Sequence, residues 1–372
     1  MSSDGGDAQS ASDGIGSSDL PLLGAGEVLA NPSNNHSAAL ARSLPFLYLS
    51  HALSAFGDRM WQFAIPILFM EIWDDSLLPA ALFALVTNCA TFLAMAHVGK
   101  WVDRSPRMAL MRTSLLGQNA AIATSCLLLY SLVYLAKDGA EAVNADVGVA
   151  WTLEVKLCFG MIVACSAVGE LMGNAGTLAL ERDWVVVLAA GDQPALAAMN
   201  STMRRIDLLC KLLAPLGFGL LMQVLAYLLV LVISPSSIPL SLSHSLLATA
   251  ADVQFGPEDD DVGRLRLGAA VVGGWNALSL PLELYTTSRV FRTHLALLGA
   301  RRQQKPARET ALEQLTSGWR LYARHRVFWA SVAYGMIYMS VLDNGTLMTA
   351  YLKYAGSSVL YARLTCDVSF VY

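Results

Sequence analysis

The 372-residue chain carries a formal charge of −4, with 55 % hydrophobic and only 15 % charged residues, and its mean hydropathy is +0.48. Soluble domains run nearer about a quarter charged, so composition excludes an ordinary soluble enzyme and sets most of the chain in a lipid bilayer. No nucleic-acid partner is expected.

Residues 1–43 are rich in Ser, Gly, Asp and Asn, with hardly a basic residue before Arg42. They read as a disordered cytoplasmic tail and fit neither a secretory signal nor a transit peptide. Seven apolar runs follow, near Phe46–Ile72, Leu77–Val98, Met108–Leu135, Val149–Leu180, Ile206–Ile233, Leu267–Val290 and Val327–Tyr351. Each is long enough to cross hydrocarbon about 30 Å thick, which takes roughly 20 helical residues. All should be helices, because a lone spanning segment must satisfy its own backbone hydrogen bonds. The six cysteines, at 89, 126, 158, 165, 210 and 366, show no CxxC spacing and read as small buried hydrophobes.

The connections alternate in charge. Glu71, Asp74 and Asp75 follow the first span, and Lys100, Arg104, Arg107 and Arg112 surround the next connection. The third carries Asp138, Glu141 and Asp146 against Lys137, and the fourth ends in Arg204 and Arg205. The fifth holds Glu258 to Asp261, and the sixth is basic, with Arg292, Arg301, Arg302, Lys305, Arg308 and Arg324. Positive connections stay in the cytoplasm, so the amino terminus is expected there too, an orientation opposite to that of a seven-helix receptor.

Several polar residues lie within the spans. Asp58 sits inside the first run with Arg59 beside it, and a carboxylate at membrane depth is costly enough to count as a functional candidate by default. Ser54 and Gln62 fall one turn to either side and His51 two turns before. Adjacent helical residues do not face one another, so Arg59 is expected to have a partner other than Asp58. In the sixth span Asn276, Ser279 and Glu283 recur three and four apart, on one helical face.

The connection Gly99-Lys-Trp-Val-Asp103-Arg104-Ser-Pro-Arg107 has the composition of a gate. Its glycine permits close helix approach, and its Asp and Arg groups can pair across a bundle mouth and separate again. The pattern GxxxDRxxR resembles the second-to-third helix loop of major facilitator transporters. The strings HALSAFGDRMWQFAIPILFMEIWDDSLLPAALFALV, GKWVDRSPRMALMRTSLLGQNAA, ERDWVVVLAAGD, AAMNSTMRRIDLLCKLLAP and GGWNALSLPLE together resemble the ferroportin family of iron exporters, from about Leu44 to about Tyr351.

The resemblance implies an all-α integral membrane fold: a major-facilitator-type amino-terminal six-helix lobe over residues 44–298, a basic cytoplasmic linker over 299–326 and a seventh transmembrane helix over 327–355. It implies efflux of Fe²⁺, or of Co²⁺ or Ni²⁺, by alternating access, with no catalysed chemistry and no cofactor. Asp58 would be the primary metal ligand, assisted by Ser54, Asn276 and Ser279, with Gln118 and Glu283 shaping the site. The Asp58, Gln118, Asn276 and Glu283 group binds Ca²⁺ in animal members. Gln62 departs from the family, where animal members carry His; an amide oxygen is the weaker transition-metal ligand. Asp103, Arg104, Arg107, Asp183, Asn200, Arg204 and Asp207 fall on gate positions. Thr346 stands where a second site would have Cys, so hepcidin control is not expected. Residues 356–372 match nothing in the family, and the expectation is a truncated relative of a longer carrier. The alternative is a non-transporting membrane protein that pairs with a full-length homologue. Plasma membrane and vacuolar or other organelle membranes suit either reading.

Overall fold

The computed structural model describes residues 32–73, 76–143, 151–233, 261–299 and 311–338, with a few positions up to 355. Every regular element among them is helical. Two compact units are distinguished, Met1–Arg42 and Ser43–Tyr372. Of the first, only the opening turns of a helix are described.

That helix, α1, spans Pro32–Ile72. It begins inside the stretch expected to be a disordered tail, which corrects that boundary. Pro32 suits a first helical position, where no amide hydrogen is needed, and the Ala- and Leu-rich residues after it propagate a helix well. Helices α2 (Leu78–Arg104) and α3 (Arg107–Val143) are separated at Ser105 and Pro106. Ser105 is extended, with φ −84° and ψ 147°, as expected of a residue held out of the helical region by the proline after it.

Helix α4 (Leu153–Ala179) is capped by Thr152, whose hydroxyl accepts from the Val155 amide at 3.3 Å. It runs into a single π-helical turn, Leu180–Trp184, and then α5 (Val185–Ala189). Ala190 and Gly191 adopt positive φ, 49° and 90°, to end this run. Asp192 caps the following α6 (Gln193–Ile233) by accepting from the Ala195 amide at 3.2 Å. Helices α7 (Asp261–Thr293), α8 (Leu295–Leu298), α9 (Ala311–Ala323) and α10 (Phe328–Tyr338) complete the described chain. The expected basic linker thus contains α9.

Among the described residues, three helices are long and apolar enough to cross a membrane by length and composition: Leu78–Arg104, Arg107–Leu132 and Leu153–Ala189. Seven were expected. The difference lies partly in the polar groups that α1, α6 and α7 carry in their interiors, such as Asp58 and Arg59, Arg204 and Asp207, and Asn276 and Glu283. Helix α10 alone is too short for a span, at 11 residues and about 1.5 Å each. Of the rest of the seventh run only residues 348, 350 and 351 are described, and Thr346 lies outside the described residues.

Within the second unit the core gathers around α1. Met60, Phe63, Ile65, Phe69 and Trp73 are buried against Phe83 of α2, Leu129 of α3, Phe159 and Ile162 of α4, Phe218 of α6 and Val272 of α7. The aromatics at one end interlock: Trp73 stacks on Trp151 with ring centroids 4.8 Å apart, and both meet Phe159 edge-on. Leu93, Phe92, Leu127 and Leu278 are exposed, which suits a lipid-facing surface. Cys126, Cys158 and Cys210 are buried free thiols, as expected, while Cys89 is exposed.

A charged cavity between α1, α2, α4 and α6

The middle of α1 turns polar residues toward a cavity of about 680 Å³. His51, Ser54, Asp58, Arg59 and Gln62 line it from α1; Glu170, Asn174 and Glu181 line it from α4 and the π turn, and Arg204 and Asp207 from α6. The helical period that places residues three and four apart on one face accounts for the α1 set. Four carboxylates therefore face two guanidiniums in the lining, a deficit of two positive charges.

Asp58 is tied to α3, since the Gln118 side-chain amide donates to its Oδ1. Helix α4 closes on the pair at Gly173. A Cβ added there would stand 3.3 Å from Gln118 Cδ and Nε2 and 3.4 Å from Asp58 Oδ2, so a small residue is what lets α4 reach the carboxylate. Helix α7 approaches α1 in the same way at Gly57, where a Cβ would meet Asn276 Oδ1 and Trp275, each at 3.3 Å.

Asp58 and Ser54 thus line the cavity, Gln118 supports Asp58 from behind, and Asn276, Ser279 and Glu283 are buried on α7 outside the lining. Asn276 returns its amide donor to the Val272 carbonyl at 2.9 Å, the use amides commonly have inside helix bundles. Glu283 is 1 % exposed, lies beside Ser279 and within the field of Asp58, and its Oε2 has no hydrogen-bond partner. Arg59 does find another partner, donating Nη1 to Gln62 Oε1 at 2.8 Å.

The gate candidates separate. Arg107 pairs with Asp183 of the π turn, Nε to Oδ2 at 2.7 Å and Nη2 to Oδ1 at 3.1 Å, and also donates Nη1 to the Leu298 carbonyl at 3.1 Å. Arg107 thus takes its partner from the π turn, while Asp103 is exposed. It lies at the end of α2, whereas Arg107 opens α3 and points into the bundle. Arg104 and Asn200 are exposed as well. Asp207 meets His51 across the cavity, Oδ1 to Nε2 at 2.9 Å, joining α6 to α1.

Glu170 was not among the residues singled out from sequence. The signal was there: a carboxylate deep inside the apolar fourth run, well away from Glu154 near its start, the same feature that marked Asp58. The His51–Asp207 pair was not foreseen either, since nothing in the sequence relates positions 156 residues apart.

Among the described residues no three His, Cys, Asp or Glu side chains gather as a metal-holding cluster. The donors around Asp58 are carboxylate, amide and hydroxyl oxygens, which suit hard or borderline divalent cations.

Apolar helices packed around a charged cavity are the architecture of a helical, multi-pass membrane protein. The Ferroportin1 (FPN1) family matches residues 41–249 and 260–369, so the chain belongs to the ferroportin family. The second matched segment runs to residue 369, which corrects the expectation that residues 356–372 match nothing in the family.

The chain is 28 % identical to ferroportin of Canis lupus familiaris, over 84 % of its own length and 54 % of that protein's. It is 32 % identical to solute carrier family 40 member 1 of Oryza sativa subsp. japonica, over 89 % and 62 % respectively. The fold is similar to the crystal structure of a bacterial homologue of the iron transporter ferroportin in the inward-facing state, with TM-score 0.59 and 22 % identity, covering 89 % of this chain and 66 % of that one. The outward-facing state of a bacterial homologue gives 0.56 at 21 % identity. The chain spans about half the length of the first curated relatives it matches.

Proposed function

We propose that this chain carries a cargo-binding half of a divalent-metal efflux carrier, multi-pass in its membrane, with its amino terminus in the cytoplasm and Fe²⁺ as the cargo. The observation that carries this reading is Asp58: a carboxylate midway along α1 that faces the cavity, held by Gln118, in a lining short of two positive charges. A divalent cation supplies them. Asp58 binds the cargo directly, with Ser54 as a neighbouring oxygen donor. Asn276, Ser279, Gln118 and Glu283 fix the surrounding helices. The buried, unpartnered Oε2 of Glu283 is a group that Ca²⁺ beside Asp58 would satisfy. Co²⁺ and Ni²⁺ share the charge of Fe²⁺ and enter the same site.

Alternating access in major-facilitator carriers needs a second half rocking against the first. The bacterial homologues solved inward- and outward-facing support that motion for the family. In the gate Arg107 and Asp183 act as one unit, with Arg204 and Asp207 at the cavity wall and Asp103, Arg104 and Asn200 on the exposed cytoplasmic rim.

The test is cellular metal content. Expression of the chain lowers iron or cobalt in a metal-loaded cell, and Asp58→Ala abolishes the effect. Unchanged content on expression of the unaltered chain sinks the exporter reading and leaves the alternative, pairing with a longer homologue.

A further inference from the structure

Glu170 lies in the middle of α4, half-buried, on the face that lines the cavity. Gly173, one turn further along that face, is the point at which α4 touches Asp58 and Gln118. Two carboxylates from two helices therefore look into one space, and each lies within the other's electrostatic reach. The Arg59 guanidinium acts on both. It forms no ion pair with either, because neither carboxylate takes part in the close ion pairs of the described residues. Its hydrogen bond goes to Gln62, one turn along its own helix.

This arrangement differs from a plain salt bridge. A guanidinium on a long, flexible stem stands beside two carboxylates without closing on either, and a neutral amide oxygen holds it there. Gln62, at a position where the family resemblance leads one to expect a histidine, thereby has a use of its own. A cation of double charge entering between Asp58 and Glu170 satisfies both at once. A monovalent ion satisfies one, and leaves the other to Arg59.

We propose that Glu170 is the second carboxylate that takes the divalent cargo, across the cavity from Asp58, and that Arg59 is the resident counter-charge which the cargo replaces while Gln62 holds it aside. The proposal rests on the carrier reading of the cavity. It makes Glu170 a direct contact of the ion and Arg59 a determinant of valence, and it places the cargo between α1 and α4 rather than between α1 and α7.

The experiment is calorimetric titration of the full-length chain in lipid nanodiscs with Co²⁺ alone. Glu170→Gln keeps the shape and removes the charge; it weakens Co²⁺ binding by at least about tenfold, the range seen when groups around a metal are altered. Glu154→Gln, on the same helix but exposed in its first turn, leaves affinity unchanged. Arg59→Gln binds Co²⁺ several-fold more tightly, because the competing charge is gone. Should Glu170→Gln not fold, as judged by its melting transition, the Arg59→Gln result decides, and weaker binding there overturns the proposal. If Asp58→Ala abolishes binding while Glu170→Gln binds as the unaltered chain does, Glu170 is no ligand and the carrier reading survives alone. If the unaltered chain takes up no Co²⁺, both fall together.

Discussion

Arg107 at the start of α3 and Asp183 in the π turn after α4 hold each other through two hydrogen bonds, although 76 residues separate them in sequence. Both side chains are largely withdrawn from solvent, 9 % and 14 % exposed. A planar guanidinium matches a carboxylate at two points, and only arginine offers that fork. The pair therefore fixes the entry of α3 against the exit of α4, and the third bond to the Leu298 carbonyl adds the end of α8.

Arg107→Ala leaves Asp183 buried without its cation, and removal of one member of a buried pair costs about 3–5 kcal/mol. Arg107→Lys recovers only part, having one point of contact. Thermal unfolding in detergent, with Arg107→Ala/Asp183→Asn as the double variant, measures this. The double variant should be more stable than Arg107→Ala, and equal stabilities would show that the two residues do not couple.

Two glycines of α6 give opposite expectations for one substitution. A Cβ at Gly217 would stand 2.8 Å from Phe56 Cζ, and Phe56 is backed by Trp275 with ring centroids 4.6 Å apart, so Gly217→Ala overpacks the α1–α6 contact at about 1–3 kcal/mol. Gly219 has open space around its Cβ position, so Gly219→Ala gains helix stability of about 0.5–1 kcal/mol. Melting temperatures of the two variants should move in opposite directions.

Gly173→Ala tests the cavity wall. Its methyl group meets Gln118 and Asp58 at 3.3–3.4 Å, distances at which a neighbour must give by a few tenths of an ångström. Displacing Gln118 disturbs Asp58 more than it disturbs the bundle, so Co²⁺ affinity falls while the melting temperature changes little. A large loss of stability with unchanged affinity would contradict this.

Orientation is tested by labelling. In a chain whose native cysteines are replaced, Asp146→Cys, in the connection between α3 and α4, reacts with a membrane-impermeant thiol reagent added to intact cells, and Asp103→Cys reacts only after permeabilisation. The opposite pattern would invert the assignment drawn from loop charge.

The helices were legible wherever an apolar run was bounded by charge or proline, as at Ser105 and Pro106, because both signals act locally. Asp58 was legible because a charge among apolar residues stands out on its own. Partners were harder. The GxxxDRxxR string marked Arg107 as part of a charged connection able to pair across the bundle mouth, but not which residue it meets, and the fold supplies Asp183 from the π turn after α4. Asn276, Ser279 and Glu283 do share a face, as their spacing required, but spacing does not say whether a face meets a cavity or another helix. That depends on Gly57 and Gly173, whose lack of side chains decides which helices touch α1.

The π turn at Leu180–Trp184 was invisible to periodicity, because it breaks the period. One additional residue is looped out of an otherwise continuous run from Leu153 to Ala189, and everything after it is rotated by about 100°, the angle of one helical residue. Upstream, Glu170, Gly173 and Thr177 keep step with the cavity; by the end of the turn itself, Asp183 answers to Arg107, and Trp184 meets Phe291 with ring centroids 6.0 Å apart. The turn works as a phase shifter, letting one rod serve two audiences. Deleting a single residue there would put the two ends of the rod out of phase while shortening it by a trivial amount.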